Sequence, residues 1–268
     1  MRVGVLGAGG RMGSTVCQAV SKASDLELVC AFDPAAAGKF TFAADPSGGV
    51  EISADLGVFA SSGCQVAVDF TVAEAARANL PKLAEMGVNV VLGTTGLSEE
   101  ELEDLGELFA GKGLGLLAAA NFAIGAVLME VFGVLAAPFA EGVETIEFHH
   151  EHKADAPSGT ALQSALAIER ARQERGLRDL PALEARSETL GHTRGGLGPG
   201  GVRIHAVRLP GFVARQDLII GMEGQTLTVS HNVVDRTAFM PGVLMAVRAV
   251  QGRPGLTRGL VPLLNLGV

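Results

Sequence analysis

A short apolar run, Arg2-Val3-Gly4-Val5-Leu6, passes at once into Gly7-Ala8-Gly9-Gly10-Arg11-Met12-Gly13 and then into a helical pattern ending near Ala23. A buried strand that turns through glycines into a helix predicts one architecture above others, a parallel sheet. Its first loop lets backbone approach a pyrophosphate lying at the helix N-terminus. The spacing departs from strict G-x-G-x-x-G, because Met12 fills the third slot and Gly13 follows one later. It reads equally well as G-x-x-G-x-x-G on Gly7, Gly10 and Gly13. With 36 glycines in the chain, such a motif needs context. Leu26 to Phe32 supplies it, reading as a second strand that ends at Asp33, twenty residues past Gly13. A carboxylate there would accept hydrogen bonds from the adenosine ribose hydroxyls. The competing reading is that Asp33-Pro34 only starts a turn.

The same grammar continues. Gln65 to Thr71 reads as a strand, followed by a helix to about Met86 that is expected to be interrupted near Pro81. Next come strand Asn89–Leu92, the turn Gly93-Thr94-Thr95-Gly96, and a helix opened by Ser98 with Glu101 as a capping box. Strand Leu114–Ala119 closes the set. Between Ala35 and Gly63 the pattern is less regular, with a possible strand at Val50–Ser53. Alternating strands and helices predict an α/β, Rossmann-like parallel sheet with ligands beyond the strand C-termini. The candidate cofactor-binding residues are therefore Gly7, Ala8, Gly9, Gly10, Arg11, Met12, Asp33, Phe70, Thr71, Gly93, Thr94, Thr95, Ala119, Ala120, Asn121 and Phe122. As turn formers and helix caps alone, the threonines and Asn121 would look the same.

From Asn121 the pattern changes. A helix runs to about Ala136, a strand leads into His149, and a helix covers Thr160 to Arg175. Residues 177–200 show little apolar periodicity, and Gly195 to Gly201 reads as a mobile loop. Three strand-like runs follow without helices between them: Val202–Arg208, Gln216–Gly221 and Thr226–His231. They predict a second, α+β domain with a mixed or antiparallel sheet. Arg236 to Val250 is again helical, and Leu260 to Leu266 forms a short apolar tail.

The chemistry concentrates in Glu147-Phe148-His149-His150-Glu151-His152-Lys153-Ala154-Asp155-Ala156-Pro157-Ser158-Gly159-Thr160-Ala161. Three of the six histidines lie within four positions and a lysine follows. Ser158-Gly159-Thr160 opens a helix whose first N–H groups suit a carboxylate or phosphate. Clustered histidines are often only polar surface at a strand end. A metal site on His150 and His152, which alternate onto one face, is weaker, since no third ligand is evident and Lys153 adds positive charge. Density of His, Lys and Ser-Gly-Thr favours a catalytic loop acting on a small acidic molecule without metal.

Composition excludes several classes. A net charge of −8 with no basic run argues against nucleic acid and anionic membranes as partners. With neither Trp nor Tyr, base-stacking platforms could come only from Phe. Cys17, Cys30 and Cys64 form no CxxC and sit among apolar residues, which fits buried thiols in a reducing compartment. Leu114 to Ala140 is almost continuously apolar, but a strand followed by a helix explains it better than a membrane span. A soluble, cytoplasmic protein is expected.

Taken together, these motifs resemble the dihydrodipicolinate reductase family over essentially the whole chain. The resemblance rests on Gly7 to Gly13, Asp69-Phe70-Thr71, Gly93-Thr94-Thr95-Gly96, Ala119 to Phe122 and, most specifically, Glu147 to Ala161. It implies reduction of a cyclic dicarboxylate imine to tetrahydrodipicolinate by NADH or NADPH. It also implies His149 and Lys153 as proton donors, His150 as a substrate contact, and Gly159 and Thr160, with Ser158 at the helix start, as a carboxylate cradle. Hydride addition at an imine carbon leaves the nitrogen needing a proton, and sequence does not decide between His149 and Lys153. The family resemblance further implies a dinucleotide-binding domain of residues 1–120 and 235–268, a substrate-binding and oligomerisation domain of 121–234, and a homotetramer. Asp33 followed by Pro34, rather than an arginine, suggests a modest NADH preference, softened if Arg11 or Lys39 reaches a 2′-phosphate. One departure stands out. Many members carry Gly-Glu-His where this chain reads Ala214-Arg215-Gln216, a change expected to touch strand packing or assembly rather than chemistry. Two alternatives stay open: a reductase of another small carboxylate, or a non-catalytic NAD(H)-responsive regulator.

Overall fold

The computed structural model describes residues 1–41, 49–182, 187, 189–191 and 193–267, so part of each irregular stretch noted above lies outside the described residues. Contacts divide the chain into two units, Met1–Ile124 with Phe239–Val268, and Gly125–Ala238.

The first unit begins with β1 (Arg2–Leu6), α1 (Arg11–Lys22), β2 (Glu27–Phe32), β3 (Ile52–Ser53) and the short α2 (Val58–Ser61). It continues with β4 (Val66–Asp69), α3 (Ala73–Glu85), β5 (Asn89–Leu92), α4 (Glu99–Gly111) and β6 (Gly115–Ala118). These strands pair in parallel in the order β3-β2-β1-β4-β5-β6. All four residues of β4 and of β5 are buried, as expected of parallel strands covered on both faces. Phe59, Leu80, Leu83, Phe109 and Leu116 fill the core beside them. The capping box at α4 forms as the spacing predicts: Ser98 Oγ accepts from Glu101 N (3.2 Å), and the Glu101 carboxylate accepts from Ser98 N (2.7 Å).

Two glycines make the first loop possible. Gly7 has φ +72°, and a Cβ on Gly13 would stand 2.0 Å from the Gly7 carbonyl oxygen. The third glycine needed is thus Gly13, not the residue at the slot Met12 occupies. Where the sequence suggests an interruption at Pro81, α3 runs through it. Proline removes one helical hydrogen bond at a cost of about 3 kcal/mol. Ala76, Leu80 and Leu83, all fully buried on either side, offset that, since burying one Leu contributes roughly 1.5–3 kcal/mol.

The second unit contains α5 (Ile124–Ala136), β7 (Gly142–His149), α6 (Gly159–Gln173), β8 (Gly196–Leu197), β9 (Arg203–Arg208), β10 (Ala214–Met222) and β11 (Gln225–Val233). The sheet order is β11-β10-β7-β9-β8, with β7 and β9 parallel and the other pairs antiparallel. Met129 of α5 and Ala165 and Ile168 of α6 pack with Ile204, Leu218 and Ile220 into one core. The glycine run read as a loop instead supplies β8 and a helical turn, Pro199–Gly201. That turn is pinned: Leu180 N donates to Gly200 O (2.9 Å), and Gly200 N donates to Glu169 Oε1 (2.9 Å).

The chain then re-enters the first unit through α7 (Met240–Val250) and β12 (Gly255–Arg258), which pairs in parallel with β6 as a seventh strand. Sequence reading missed β12, because a glycine start and a four-residue length hide the strand pattern. The apolar run 114–140 becomes β6 and α5, and among the described residues no helix is long and apolar enough to cross a membrane. Cys17, Cys30 and Cys64 are buried and free. Burial pushes the Cys17 thiol up to about 12.

Because the Gly13 approach involves backbone on both sides, Gly13→Ala is expected to destabilise the protein by about 1–3 kcal/mol. Urea unfolding checks this, and an unchanged midpoint would show that the loop relaxes freely.

Candidate active site

At the C-terminal edge of the seven-stranded sheet, the topology gathers every candidate cofactor residue. Gly7 to Met12 join β1 to α1, Asp33 ends β2, Phe70 and Thr71 follow β4, Gly93 to Thr95 follow β5, and Ala119 to Phe122 follow β6. Among the described residues no side chain caps the start of α1 at Gly10, which leaves its first N–H groups for a ligand. Asp33 performs the turn function: Oδ1 accepts from Ala35 N (3.0 Å), capping the Pro34–Ala36 turn. Its Oδ2 accepts from Gly9 N (3.0 Å), tying the end of β2 to the glycine loop. A Cβ on Gly9 would fall 2.4 Å from Ala36 Cβ, so only glycine lets these two loops touch. The narrow glycine loop, open helix start and adjacent carboxylate fit a dinucleotide.

A second network holds the other half of this edge. Asp69, fully buried, accepts at Oδ1 from Thr71 N (2.8 Å), Thr71 Oγ1 (2.7 Å) and Thr94 Oγ1 (2.8 Å). Both threonine hydroxyl protons are therefore committed within the protein, and Asn121 Oδ1 likewise accepts from Ala123 N (2.9 Å). A ligand here would meet chiefly the backbone and methyl groups of Thr71 and Thr94. The Phe70 ring fills the space a Cβ on Gly93 would need and meets Phe122 edge to face at 5.6 Å.

In the second unit, β7 delivers His149 at its last residue, and the loop from His150 to Pro157 leads into α6. His149, His150 and Lys153 are partly buried, whereas His152 is 84% exposed in its side chain, 3.5 Å from Glu151 and tilted against the His150 ring at 6.4 Å. Lys153 Nζ lies 2.6 Å from Asp155 Oδ1, and that ammonium holds the Asp155 carboxyl below its usual range. Ser158 Oγ accepts from Ala161 N (3.2 Å) as the N-cap of α6. The helix-start donors left for a ligand are those of Gly159 and Thr160.

Beneath these groups lies Glu147, whose side chain has no exposure. Its Oε2 meets His149 Nδ1 (2.5 Å) and accepts from Arg208 Nη1 (2.9 Å). Its Oε1 accepts from Arg208 Nη2 (2.8 Å) and Ser158 N (3.2 Å). Arg208 also donates to the Asp155 carbonyl (2.7 Å), holding the loop. Burial pushes the Glu147 carboxyl up, but Arg208 and His149 outweigh it and the net shift is downward. For His149, burial lowers its proton affinity, Glu147 raises it, and Lys153 and Arg208 lower it, leaving it below the ordinary imidazole value.

Sequence reasoning assigned no function to Glu147 or Arg208. Glu147 shares the strand phase of His149, a signal that was available. Arg208 carries none, because only the pairing of His149 with Arg208 across β7 and β9 brings it in. The Ala214-Arg215-Gln216 segment does reach this region. Buried Gln216 donates to Ser164 Oγ (3.0 Å), which donates to Thr160 O (3.1 Å), bracing the first turn of α6. Arg215 pairs with Asp217 (2.8 Å) and lies over the Phe148 ring.

Comparison with known proteins adds the family context. The family model described as dihydrodipicolinate reductase, N-terminus, matches residues 1–122, and that for the C-terminus matches residues 125–263. The 4-hydroxy-tetrahydrodipicolinate reductase of Nocardia farcinica is 45% identical over 267 residues, covering 99% of both chains. That of Mycobacterium marinum is 44% identical, covering 99% of this chain and all of the relative. A solved dipicolinate-bound dihydrodipicolinate reductase from Paenisporosarcina sp. TG-14 superposes with a TM-score of 0.85 at 34% identity, over 97% of this chain and 98% of that one.

The buried pair makes a sharp demand on stability. Arg208→Ala leaves the Glu147 charge in the interior without its guanidinium and is expected to destabilise the protein by about 3–5 kcal/mol. Chemical denaturation at neutral pH measures it. A loss below 1 kcal/mol would mean that His149 and Ser158 suffice to hold the carboxylate.

Proposed function

The chain belongs to the dihydrodipicolinate reductase family, and from that premise we propose that it reduces the cyclic dicarboxylate imine 4-hydroxy-tetrahydrodipicolinate to tetrahydrodipicolinate, using NADH or NADPH. The observation that carries this reading is the convergence, in one loop, of His149, Lys153 and the open start of α6. A dianionic substrate needs cations and N–H donors together, and this loop has both. Gly159 and Thr160 would take one carboxylate at the helix start, with His150 as a further contact.

The product lacks the 4-hydroxyl group of the substrate, so that group must leave as water; when bound, the reduced nicotinamide would supply hydride to a carbon of the dehydrated, unsaturated ring, and the ring nitrogen would then need a proton. His149 is the better donor. Its Nδ1 faces Glu147 and leaves Nε2 for substrate, while imidazole exchanges protons readily near neutral pH. Lys153, paired with Asp155, would provide the cation for a carboxylate. In the first unit, Gly7 to Met12 would face the pyrophosphate, Asp33 the adenosine ribose, and Phe70, Thr71, Gly93 to Thr95 and Ala119 to Phe122 the remainder of the dinucleotide.

Asp33 repels a 2′-phosphate, and Pro34 supplies no cation. Exposed Arg11 and Lys39 soften the contrast. The expected NADH preference is about tenfold in kcat/KM, roughly 1.4 kcal/mol, and steady-state kinetics with both cofactors decides it. A homotetramer fits the sheet face opposite α5 and α6, where half-buried Ile146, Phe148 and Ile219 lie. Cytoplasmic residence fits three free cysteines.

The reading is tested by NADH oxidation with substrate generated by the synthase of the preceding step, and no oxidation would sink it. As loss of a charged contact to the substrate, Lys153→Ala is expected to lower kcat/KM by at least about a hundredfold while leaving NADH affinity unchanged by calorimetry. Near-normal kcat/KM would remove Lys153 from the site.

A further inference from the structure

We infer that Glu147 is a positioning residue that fixes which nitrogen of His149 faces the substrate, and that the same carboxylate sets the start of α6, so one side chain registers proton donor against carboxylate cradle. The inference rests on the reductase reading above for its kinetic consequences, but not for its structural one.

The chemistry of the donors decides the tautomer. A carboxylate only accepts hydrogen bonds. Both Glu147 oxygens are ringed by donors: two guanidinium N–H groups of Arg208, the Ser158 N–H, and His149 Nδ1 at 2.5 Å. A proton on the carboxyl would point at one of these donors, so the hydrogen in the His149 contact belongs to Nδ1. Nε2 is then the nitrogen that exchanges protons with a ligand. With the Glu147 side chain wholly buried and the His149 side chain 17% exposed, water has little access with which to compete for this contact. Another histidine–glutamate contact, His205 Nε2 to Glu144 Oε2 at 2.8 Å, differs in the ways that matter. Glu144 is partly exposed and pairs with Arg194 and His205, and among the described residues no hydrogen bond joins it to a helix start.

The position of Ser158 extends the argument from orientation to registry. Glu147 Oε1 holds the backbone N–H of the α6 N-cap, while Oε2 of the same group holds the imidazole. Ser158 lies eleven residues beyond Glu147, with a loop between it and the end of β7. A common rigid anchor gives them the fixed spacing that a small planar dianion requires.

The charged groups facing His149 are Glu147 on β7, Lys153 on the loop and Arg208 on β9. Of these only Glu147 favours the protonated ring. An acid-dependent rate is present below the His149 pKa and lost as pH rises through it. Removing the Glu147 charge lowers that pKa, so the falling limb moves to lower pH.

Two measurements test the proposal. In the wild-type protein, 15N chemical shifts of His149 at pH 8 should show the Nδ1–H tautomer. The opposite tautomer overturns the inference whether or not any variant folds and whatever the substrate proves to be. In Glu147→Gln, whose amide can turn either its oxygen or its NH2 to the ring, the expected results are a kcat reduced about a hundredfold at pH 7.5, a falling limb of kcat/KM moved about one pH unit lower, and unchanged NADH affinity. A lowered kcat with tautomer and pH limb both as in wild type would mean that Glu147 is only a structural hub, and would overturn the proposal. Wild-type protein that fails to oxidise NADH with the hydroxylated dicarboxylate would instead refute the reductase reading, leaving the tautomer result to stand or fall by itself.

Discussion

The second unit is built around a charge taken out of water. Moving a carboxylate into a protein interior costs several kcal/mol, and the cost is offset only when geometry and hydrogen bonding are close to ideal. Glu147 meets that condition by accepting from both terminal nitrogens of Arg208, from Ser158 N and from His149 Nδ1. Each partner comes from a different element: β9, the start of α6 and the end of β7. The carboxylate therefore does for this loop what a hydrophobic core cannot, since apolar packing has no preferred direction and a bidentate ion pair does.

The first unit solves a related problem with backbone instead of charge. Its loops must approach one another without side chains in the way, and glycines at 7, 9 and 13 permit this. Asp33 and Asp69 then stitch neighbouring loops together, from β2 to the first glycine loop and from β4 to the turn after β5. A nucleotide-sized ligand would find this edge preformed, as oxygen atoms already hold the loops in place.

Much of this was legible in sequence, for physical reasons that vary by element. Apart from exposed Arg2, strands β1, β4 and β5 are buried, so they read as short apolar runs interrupted only at their ends, by Arg2, Asp69 and Asn89. The helix at Ser98 announces itself through a capping box that the structure forms. Pro81 misled because a local rule about helices was outweighed by burial on either side of it. Strand β12 escaped because its strand character comes from pairing with β6 rather than from its own composition. At the site, His149 and Lys153 were visible by density alone. Arg208 was not, because its importance arises from a register between strands sixty residues apart in the chain, and no local window spans that.

The return of the chain has a consequence for how the protein is made. A Cβ on Gly242 of α7 would lie 2.1 Å from the Phe122 carbonyl, and one on Gly115 would lie 2.1 Å from the Val250 carbonyl. The last strand, β12, covers the edge of β6. None of these contacts exists while the ribosome has translated only as far as β6. The nascent first unit therefore waits, with one sheet edge bare and the seat of α7 empty, through synthesis of the whole second unit. An exposed parallel edge is a template for mispairing, so the edge of β6 is a liability that only the last residues of the chain remove.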